Sequence, residues 1–357
     1  MERKNVFLTA AMAAVISVSS CSSDDAAEVN NSPAELKITA SMVASMESTT
    51  RAGHDIQSTS LIDYDNIGIY VWYGDMTTAK TTSPTYTGYA NVKVASHTAD
   101  ATSTNFPYTL TPTTAHIPFP VDNHNLDVYL YTPYSNTFVA DADMVTPNFT
   151  VSADQSVQAD YVASDFLYGK ATASYTGPNA KTASVTMYHA MSKIVLKVVP
   201  ASGVTFSSLT ELKLTGVNRT TQIRMANPPS AIMTVGSAAT DHVATATATT
   251  GTDVIVTNTD NFEAADAASD GVAAIIPPQG LTNLGVSCTI DSKTATASLN
   301  SLTYDVSGTP TPITTFLPGK VYTITLNIKT GDLDVKLVAI HDWDSGNGSG
   351  SSLDLTY

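Results

Sequence analysis

Two side chains near the amino end could undergo chemistry, the thiol of Cys21 and the guanidinium group of Arg51. Cys21 follows a short apolar segment that ends in small residues, Val18-Ser-Ser, the setting in which a cysteine becomes lipidated once the segment is cleaved off. Arg51 lies in the polar tract Glu47 to His54, and exposed polar loops are where proteases cut most readily. The pattern therefore predicts a lipid attachment residue followed by a protease site.

The arginine content makes Arg51 a selective target. The arginines of the chain are Arg3, Arg51, Arg219 and Arg224, and Arg3 belongs to the predicted leader. An arginine-specific protease would meet few sites, of which Arg51 has the most loop-like surroundings, and cleavage there would make Ala52 the new first residue. A solvated arginine without a function is the alternative interpretation.

Residues 1–20 have the organisation of a lipoprotein signal peptide. The basic stretch Met1 to Lys4 precedes the apolar segment Val6 to Val18, which is too short to span a membrane. Val18 to Cys21 resembles the lipobox of bacterial lipoproteins, so Cys21 is expected to become the diacylated first residue, anchored in the outer membrane. Ordinary signal cleavage that leaves a free cysteine is the alternative. The acidic run Ser22 to Asp25 resembles a surface-export signal of Bacteroides-group lipoproteins, or is a charged spacer.

A short strand is predicted between these two residues. Leu36, Ile38, Ala40 and Met42 alternate with polar residues along residues 36–42. A period of two indicates a strand with one buried face. Removal of such a strand would leave an apolar groove and unpaired backbone groups, which a strand of another chain could fill. We therefore interpret residues 21–51 as a lipid anchor, a removable first strand and a protease site.

The sequence contains no signature of catalysis or cofactor binding. It has no phosphate-binding loop, CxxC, HExxH or Gly-x-Ser-x-Gly motif, and its acidic pairs lack the spacing of a calcium loop. The run His341 to Asp344 is interpreted as a strand-end turn with Trp343 in the core, and Cys288 as a small buried hydrophobic residue. We expect no enzyme activity, no catalytic residue, no metal and no cofactor.

Composition and charge indicate an acidic, strand-rich protein. The net charge of −15 would repel phosphate backbones, so a nucleic-acid partner is not expected. A content of 43% hydrophobic and 14% charged residues, rich in Thr, Ala and Ser, suits many short strands in β-sandwiches. The length of 357 residues allows two domains. The polar tract Thr172 to Lys181 is the candidate boundary, between an N-terminal domain, 52–178, and a C-terminal domain, 179–357.

Strand patterns are strongest at residues 64–73, 126–134, 183–199, 320–328 and 333–339. The pattern of residues 183–199 predicts one long strand or a pair of strands. Residues 160–169 have a mixed pattern that could include a helical turn. Near the carboxyl end, Gly346 to Ser352 predicts a flexible linker with a reach of about 15 Å for about seven residues. Leu353, Leu355 and Tyr357 then alternate as a last strand, which either is donated to another subunit or folds back onto its own sheet.

Taken in order, several of these segments resemble the fimbrillins, the pilin subunits of type V pili. The matching segments are residues 36–40, 50–52, 127–134, 165–168, 188–198, 317–324 and 340–343. The resemblance implies an all-β fold of two transthyretin-like β-sandwich domains in tandem, exported as a lipoprotein precursor to the cell outer membrane. It also implies a final location in a cell-surface fimbrium that supports adhesion.

The same resemblance implies roles for individual residues and partners. Cleavage after Arg51 by an arginine-specific surface protease would displace Leu36 to Met42, and a donor strand would include Leu353 to Tyr357. Expected partners are other pilin subunits, through self-polymerisation or co-assembly, together with the protease, the outer membrane and host or bacterial surface ligands.

A glycan-binding surface lipoprotein is the alternative function. Its platform would be made of exposed aromatic side chains, for which the candidates are Tyr70, Trp72, Tyr73, Tyr86 and Tyr89.

Overall fold

Strands make up almost all of the regular structure of the described residues, which confirms the expected all-β class. The computed structural model describes residues 34–42, 66–74, 89–99, 108–113, 116–120, 124–139, 146–176, 181–225, 243–244, 251–257, 271–306, 309–329 and 332–342. These residues all belong to one compact unit, Ala34–Tyr357. Within these ranges, no helix is both long and apolar enough to cross a membrane.

The elements follow one another along the chain with a single short helix among the described residues. The first half contains β1 (Lys37–Met42), β2 (Gly68–Tyr73), β3 (Val92–Ala99), β4 (Tyr108–Pro112), β5 (Leu126–Thr132), β6 (Phe149–Thr150), α1 (Gln158–Ala163), β7 (Leu167–Ala173) and β8 (Thr182–His189). The second half contains β9 (Ser192–Pro200), β10 (Leu209–Val217), β11 (Thr220–Ile223), β12 (Val243–Ala244), β13 (Thr252–Thr257), β14 (Val272–Ile276), β15 (Gln279–Gly280), β16 (Gly285–Ile290), β17 (Lys293–Ser298), β18 (Thr303–Val306), β19 (Thr309–Pro312), β20 (Thr315–Phe316), β21 (Lys320–Lys329) and β22 (Asp332–Asp342).

Seven strands of the first half close into a barrel, in the order β1-β4-β3-β2-β5-β7-β8. The ring closes because β1 pairs antiparallel with β4 and parallel with β8. Side chains alternate along each strand, so that on β2 Ile69 and Val71 belong to the barrel core while Tyr70 and Trp72 face away from it. Every one of the seven strands contributes apolar side chains to this core.

Two four-stranded sheets enclose the core of the second half. Their orders are β13-β10-β16-β17 and β14-β9-β21-β22. Leu212 of the first sheet and Ile324 of the second belong to the same apolar cluster, so the sheets pack face to face as a β-sandwich. Cys288 on β16 is fully buried in this core, as expected for a small hydrophobic residue.

An aromatic layer joins the barrel to the sandwich. The outward faces of β2, β5 and β7 supply its large rings, Tyr70, Trp72, Tyr129, Tyr131 and Tyr168. These side chains cluster with Ile275 of β14 and Val321 of β21, which face away from the sandwich core. Strand β14 and the first half of β21 are therefore buried on both faces, and the apolar contact between the two halves favours a fixed arrangement.

Residues 183–199 form two strands, which separate at Ala190 and Met191. Strand β8 pairs with β1 and β7 in the barrel, whereas β9 pairs with β14 and β21 in the sandwich. The boundary between residues 178 and 179 lies outside the described residues, and the division into domains there stays a prediction. The helical turn expected in residues 160–169 is the end of α1.

Candidate functional site: the first strand and its slot

Strand β1 is hydrogen-bonded along both edges. On one side it runs parallel to β8, with a register that extends from Lys37 beside Thr182 to Met42 beside Met187. On the other side it runs antiparallel to β4, with Ala40 beside Tyr108. We call the gap between β4 and β8 that β1 fills the β1 slot. Because β1 is the only link between β4 and β8 in the described sheet order, its removal would open the barrel.

The segment before β1 extends this pairing. The backbone N–H of Leu36 donates to the carbonyl of Ile117 at 2.8 Å, and the N–H of Phe119 donates to the carbonyl of Ala34 at 2.6 Å. Lys37 donates its N–H to the carbonyl of Lys181 at 2.9 Å. These bonds satisfy backbone groups that would otherwise be unpaired next to an apolar core.

The inward face of β1 is fully part of the barrel core. Leu36 is 5% exposed, Ile38 1% and Ala40 0%, and all three belong to the same cluster. The predicted alternation therefore places these three side chains as expected, and the side chain of Met42 lies outside the described residues. Burial of Leu36 and Ile38 stabilises the strand by about 1.5–3 kcal/mol each.

The outward face of β1 is polar and contributes much less. The hydroxyl of Thr39 donates to that of Ser184 at 3.1 Å, and those of Ser41 and Thr186 are 3.5 Å apart. Glu35 Oε1 lies 2.6 Å from His116 Nδ1 in an exposed pair, and exposed pairs of this kind add little stability. Apolar burial and the two backbone ladders are therefore what hold β1 in place.

One edge of the slot is formed by β8, whose inward residues are Ala183, Val185 and Met187. Ala183 is the register partner of Ile38, and Val185 is the register partner of Ala40, so large residues face small ones across the pair. Behind Val185, a Cβ added to Gly169 of β7 would lie 2.8 Å from Val185 Cγ1 and 2.1 Å from the carbonyl oxygen of Thr186. Only glycine allows this close approach of β7 to β8, which fixes the position of Val185.

The structure brings together only part of the set of residues expected from the sequence. It places Leu36, Ile38 and Ala40 in one core, whereas Cys21, Arg51, Ala52, Leu353, Leu355, Tyr357 and Trp343 lie outside the described residues. The sequence did not indicate that Ala183, Val185 and Gly169 shape the edge of the slot. The alternation of residues 183–187 signalled a half-buried strand, but the neighbour of that strand could not be read from the sequence.

The proposed aromatic platform is wrong for two of its residues. Tyr70 is 2% exposed and Trp72 4% exposed, because both pack in the aromatic layer between the barrel and the sandwich. Tyr73 and Tyr89 are half-buried against the barrel core, and Tyr86 lies outside the described residues. The described aromatic residues of this set therefore form no exposed platform.

No group of three or more His, Cys, Asp or Glu side chains that could hold a metal ion occurs among the residues searched. Burial raises the pKa of the Cys288 thiol to about 11, which keeps it protonated and unreactive at neutral pH. The distinctive feature of the described chain is thus the buried, doubly paired strand β1.

Comparison with known proteins points to one family. The sequence profile of the fimbrillin-like family matches residues 50–343. No curated protein matches the chain at a significant level.

Two solved structures with TM-scores above 0.5 share the fold. A candidate cell adhesion protein from Bacteroides uniformis is similar over 87% of this chain and 98% of its own, at 17% identity and a TM-score of 0.55. Another from Bacteroides ovatus is similar over 88% of this chain and 99% of its own, at 16% identity and a TM-score of 0.57. A fimbrial protein from Bacteroides vulgatus aligns over 86% of this chain and 99% of its own, at 14% identity and a TM-score of 0.49.

Proposed function

The chain belongs to the fimbrillin-like family, and from this premise we propose that it is a structural subunit of a cell-surface fimbrium that assembles by strand replacement. The observation that carries the proposal is β1, which is paired on both edges and closes the barrel. A role in adhesion fits the family, and the role is structural, not catalytic.

The proposed precursor is a lipoprotein. Cys21 carries the lipid that holds the chain in the outer membrane, and an arginine-specific surface protease cuts between Arg51 and Ala52. Strand β1 ends at Met42, on the amino-terminal side of this cut. Cleavage therefore breaks the chain between β1 and the rest of the barrel. Hydrogen bonds and apolar burial still hold β1 in the slot. The family match begins at residue 50, next to the cut, and leaves β1 outside.

Loss of β1 would leave a defect that another strand can repair. The facing edges of β4 and β8 would expose unpaired backbone groups, and the places of Leu36 and Ile38 would become an apolar groove. An extended segment of a neighbouring subunit would restore both ladders and the burial, which is the physical basis of strand addition. The segment Leu353 to Tyr357 is the proposed strand that this chain donates to its own neighbour, across the linker Gly346 to Ser352.

Treatment of the purified precursor with an arginine-specific protease tests this function. Once other pilin subunits are mixed in to supply a donor strand, we expect the cleaved chain to enter oligomers, measured by size-exclusion chromatography and electron microscopy, and we expect Arg51→Ala to keep β1 and to accept no partner strand. Arg219→Lys is the matched control, because Arg219 already donates hydrogen bonds to Thr252 and Val151 and lies in the folded body. Equal oligomerisation of Arg51→Ala and the reference chain would contradict the proteolytic trigger.

A further inference from the structure

The β1 slot differs in lateral room along its length. Ile38 lies beside Ala183, whose small side chain leaves room for a large one, whereas Ala40 lies beside the larger Val185. Both members of each pair are buried in the barrel core. On the side of β8, the slot is therefore wide at the position of Ile38 and narrow at the position of Ala40.

The narrow position is closely packed. Strand β7 approaches Val185 from its other side, since a Cβ added to Gly169 would lie 2.8 Å from Val185 Cγ1. Ala40 is fully buried, so a longer side chain there must displace its neighbours. Forcing additional methylene groups into a packed core displaces neighbours and is destabilising. A bulky residue at position 40 would therefore weaken any strand in the slot.

We infer that the β1 slot selects its replacement strand by size. The preferred occupant has bulky apolar residues at the positions of Leu36 and Ile38 and alanine or glycine at the position of Ala40. This inference rests on the proposed function, in which β1 is replaced by a strand of another subunit. It adds to that function a rule for which strands the slot accepts.

The carboxyl-terminal segment of this chain does not have that pattern. If Leu353 and Leu355 take the positions of Leu36 and Ile38, Tyr357 falls on the position of Ala40. If the strand enters in the opposite direction, Leu353 falls there instead. A shift by one residue turns the polar residues Asp354 and Thr356 inward. The slot of this chain thus fits a strand from a different subunit, which favours co-assembly over self-polymerisation through residues 353–357.

Peptide capture tests the size rule on the cleaved chain. The full chain is cut at Arg51, the fragment that contains β1 is separated from it in urea, and fluorescent peptides are added as the urea is diluted, with binding followed by anisotropy. The reference peptide has the sequence of residues 34–42, two others carry Ala40→Leu or Thr39→Val, and a fourth has the sequence of residues 351–357. We expect the reference and Thr39→Val peptides to bind alike, because Thr39 faces outward. Ala40→Leu and the 351–357 peptide should bind at least about tenfold more weakly.

The uncut chain gives a second test of the size rule. In urea unfolding, Ala40→Leu should lower the transition midpoint, whereas Thr39→Val should leave it nearly unchanged. Equal stability of Ala40→Leu and the reference chain, or equal capture of the Ala40→Leu or 351–357 peptide, would overturn the size rule. If the cleaved chain captures none of the peptides, including the reference peptide, strand replacement itself fails, and the size rule falls with the proposed function on which it rests.

Discussion

Tyr131 on β5 lays its ring directly over the backbone of Gly68, its register partner on β2. A Cβ at Gly68 would lie 2.1 Å from Tyr131 Cε1, far closer than two carbon atoms can approach. The Tyr131 hydroxyl is itself fixed because it donates a hydrogen bond to Asn91 Oδ1, while the carbonyl oxygen of Ser135 lies 3.4 Å away. The glycine therefore provides the space in which the central ring of the aromatic layer packs.

Gly68→Ala is expected to destabilise the fold by about 2 kcal/mol or more, because the ring must leave a well-packed position. The measurement is the free energy of unfolding from urea denaturation. Gly203→Ala is a control for the loss of a glycine, since a Cβ there meets no other atom within 4 Å, although its positive φ adds some strain of its own. Equal stability of Gly68→Ala and the reference chain would show that the aromatic layer repacks freely.

Ile38→Ala tests how much the inner face of β1 contributes to the precursor. Removal of a fully buried isoleucine side chain is expected to lower the free energy of unfolding by about 2–4 kcal/mol. Thr39→Ala, next along the strand and facing outward, should cost less than about 1 kcal/mol. A similar loss for both variants would mean that backbone pairing alone holds the strand.

Cys288 should be protected from thiol reagents in the folded chain. With Cys21 replaced by serine, the remaining thiol is fully buried and its pKa is raised to about 11 from the ordinary value of 9.0. We expect negligible reaction with a disulfide reagent at pH 8 and rapid reaction after unfolding. Fast labelling under native conditions would contradict the packing of β16.

The same shift predicts a dependence on pH. The folded state favours the neutral thiol, so this contribution to stability is complete below about pH 9 and is lost as the pH rises through about 11. Cys288→Ala should therefore lose less stability than the reference chain over that interval, measured by urea unfolding at each pH. An identical decline in both chains would mean that other titrating groups, and not Cys288, cause the loss of stability.

Lys170 and Asp127 form a partly buried ion pair on the barrel, with Nζ 2.8 Å from Oδ2. Burial alone would lower the pKa of Lys170, but the hydrogen bond to Asp127 and the neighbouring Tyr129 outweigh it and raise the pKa. Lys170→Met should cost about 1–2 kcal/mol at neutral pH, because Asp127 stays buried without its cation. The cost should shrink only in strongly alkaline solution, once the lysine loses its proton.

Lys329→Met is the matched control for this pair. Lys329 contacts Asp334 at 3.2 Å with both side chains about half exposed, and a surface substitution of this kind changes stability by less than about 0.5 kcal/mol. Equal effects of the two lysine variants on the free energy of unfolding would mean that burial of Asp127 has no energetic consequence.

Alternation in the sequence predicted the strands and the inward face of β1, because a half-buried strand exposes every second residue to water. It could not predict the aromatic layer. Tyr70 and Trp72 look like surface residues in an alternating strand, and only the packing of the sandwich against the barrel buries them. For the same reason, an exposed platform was expected where an interface exists.

The size pattern of the β1 slot was also beyond sequence analysis. It depends on the parallel register that sets Ala40 beside Val185, and on the close approach of β7 at Gly169. Neither long-range pairing nor register is encoded in the local pattern of residues 36–42 or 183–187. The length of a strand and its buried face depend on the local sequence. Which strands it pairs with depends on distant parts of the chain.

The identity of the first residue in the assembled, surface-exposed protein tests the central claim most directly. Fimbriae sheared from cells would be dissociated by heating, and the subunit would be analysed by N-terminal sequencing and intact mass. The account predicts Ala52 as the first residue, with no lipid and without residues 34–42. A subunit in the fimbria that begins at lipidated Cys21 and retains β1 would contradict it.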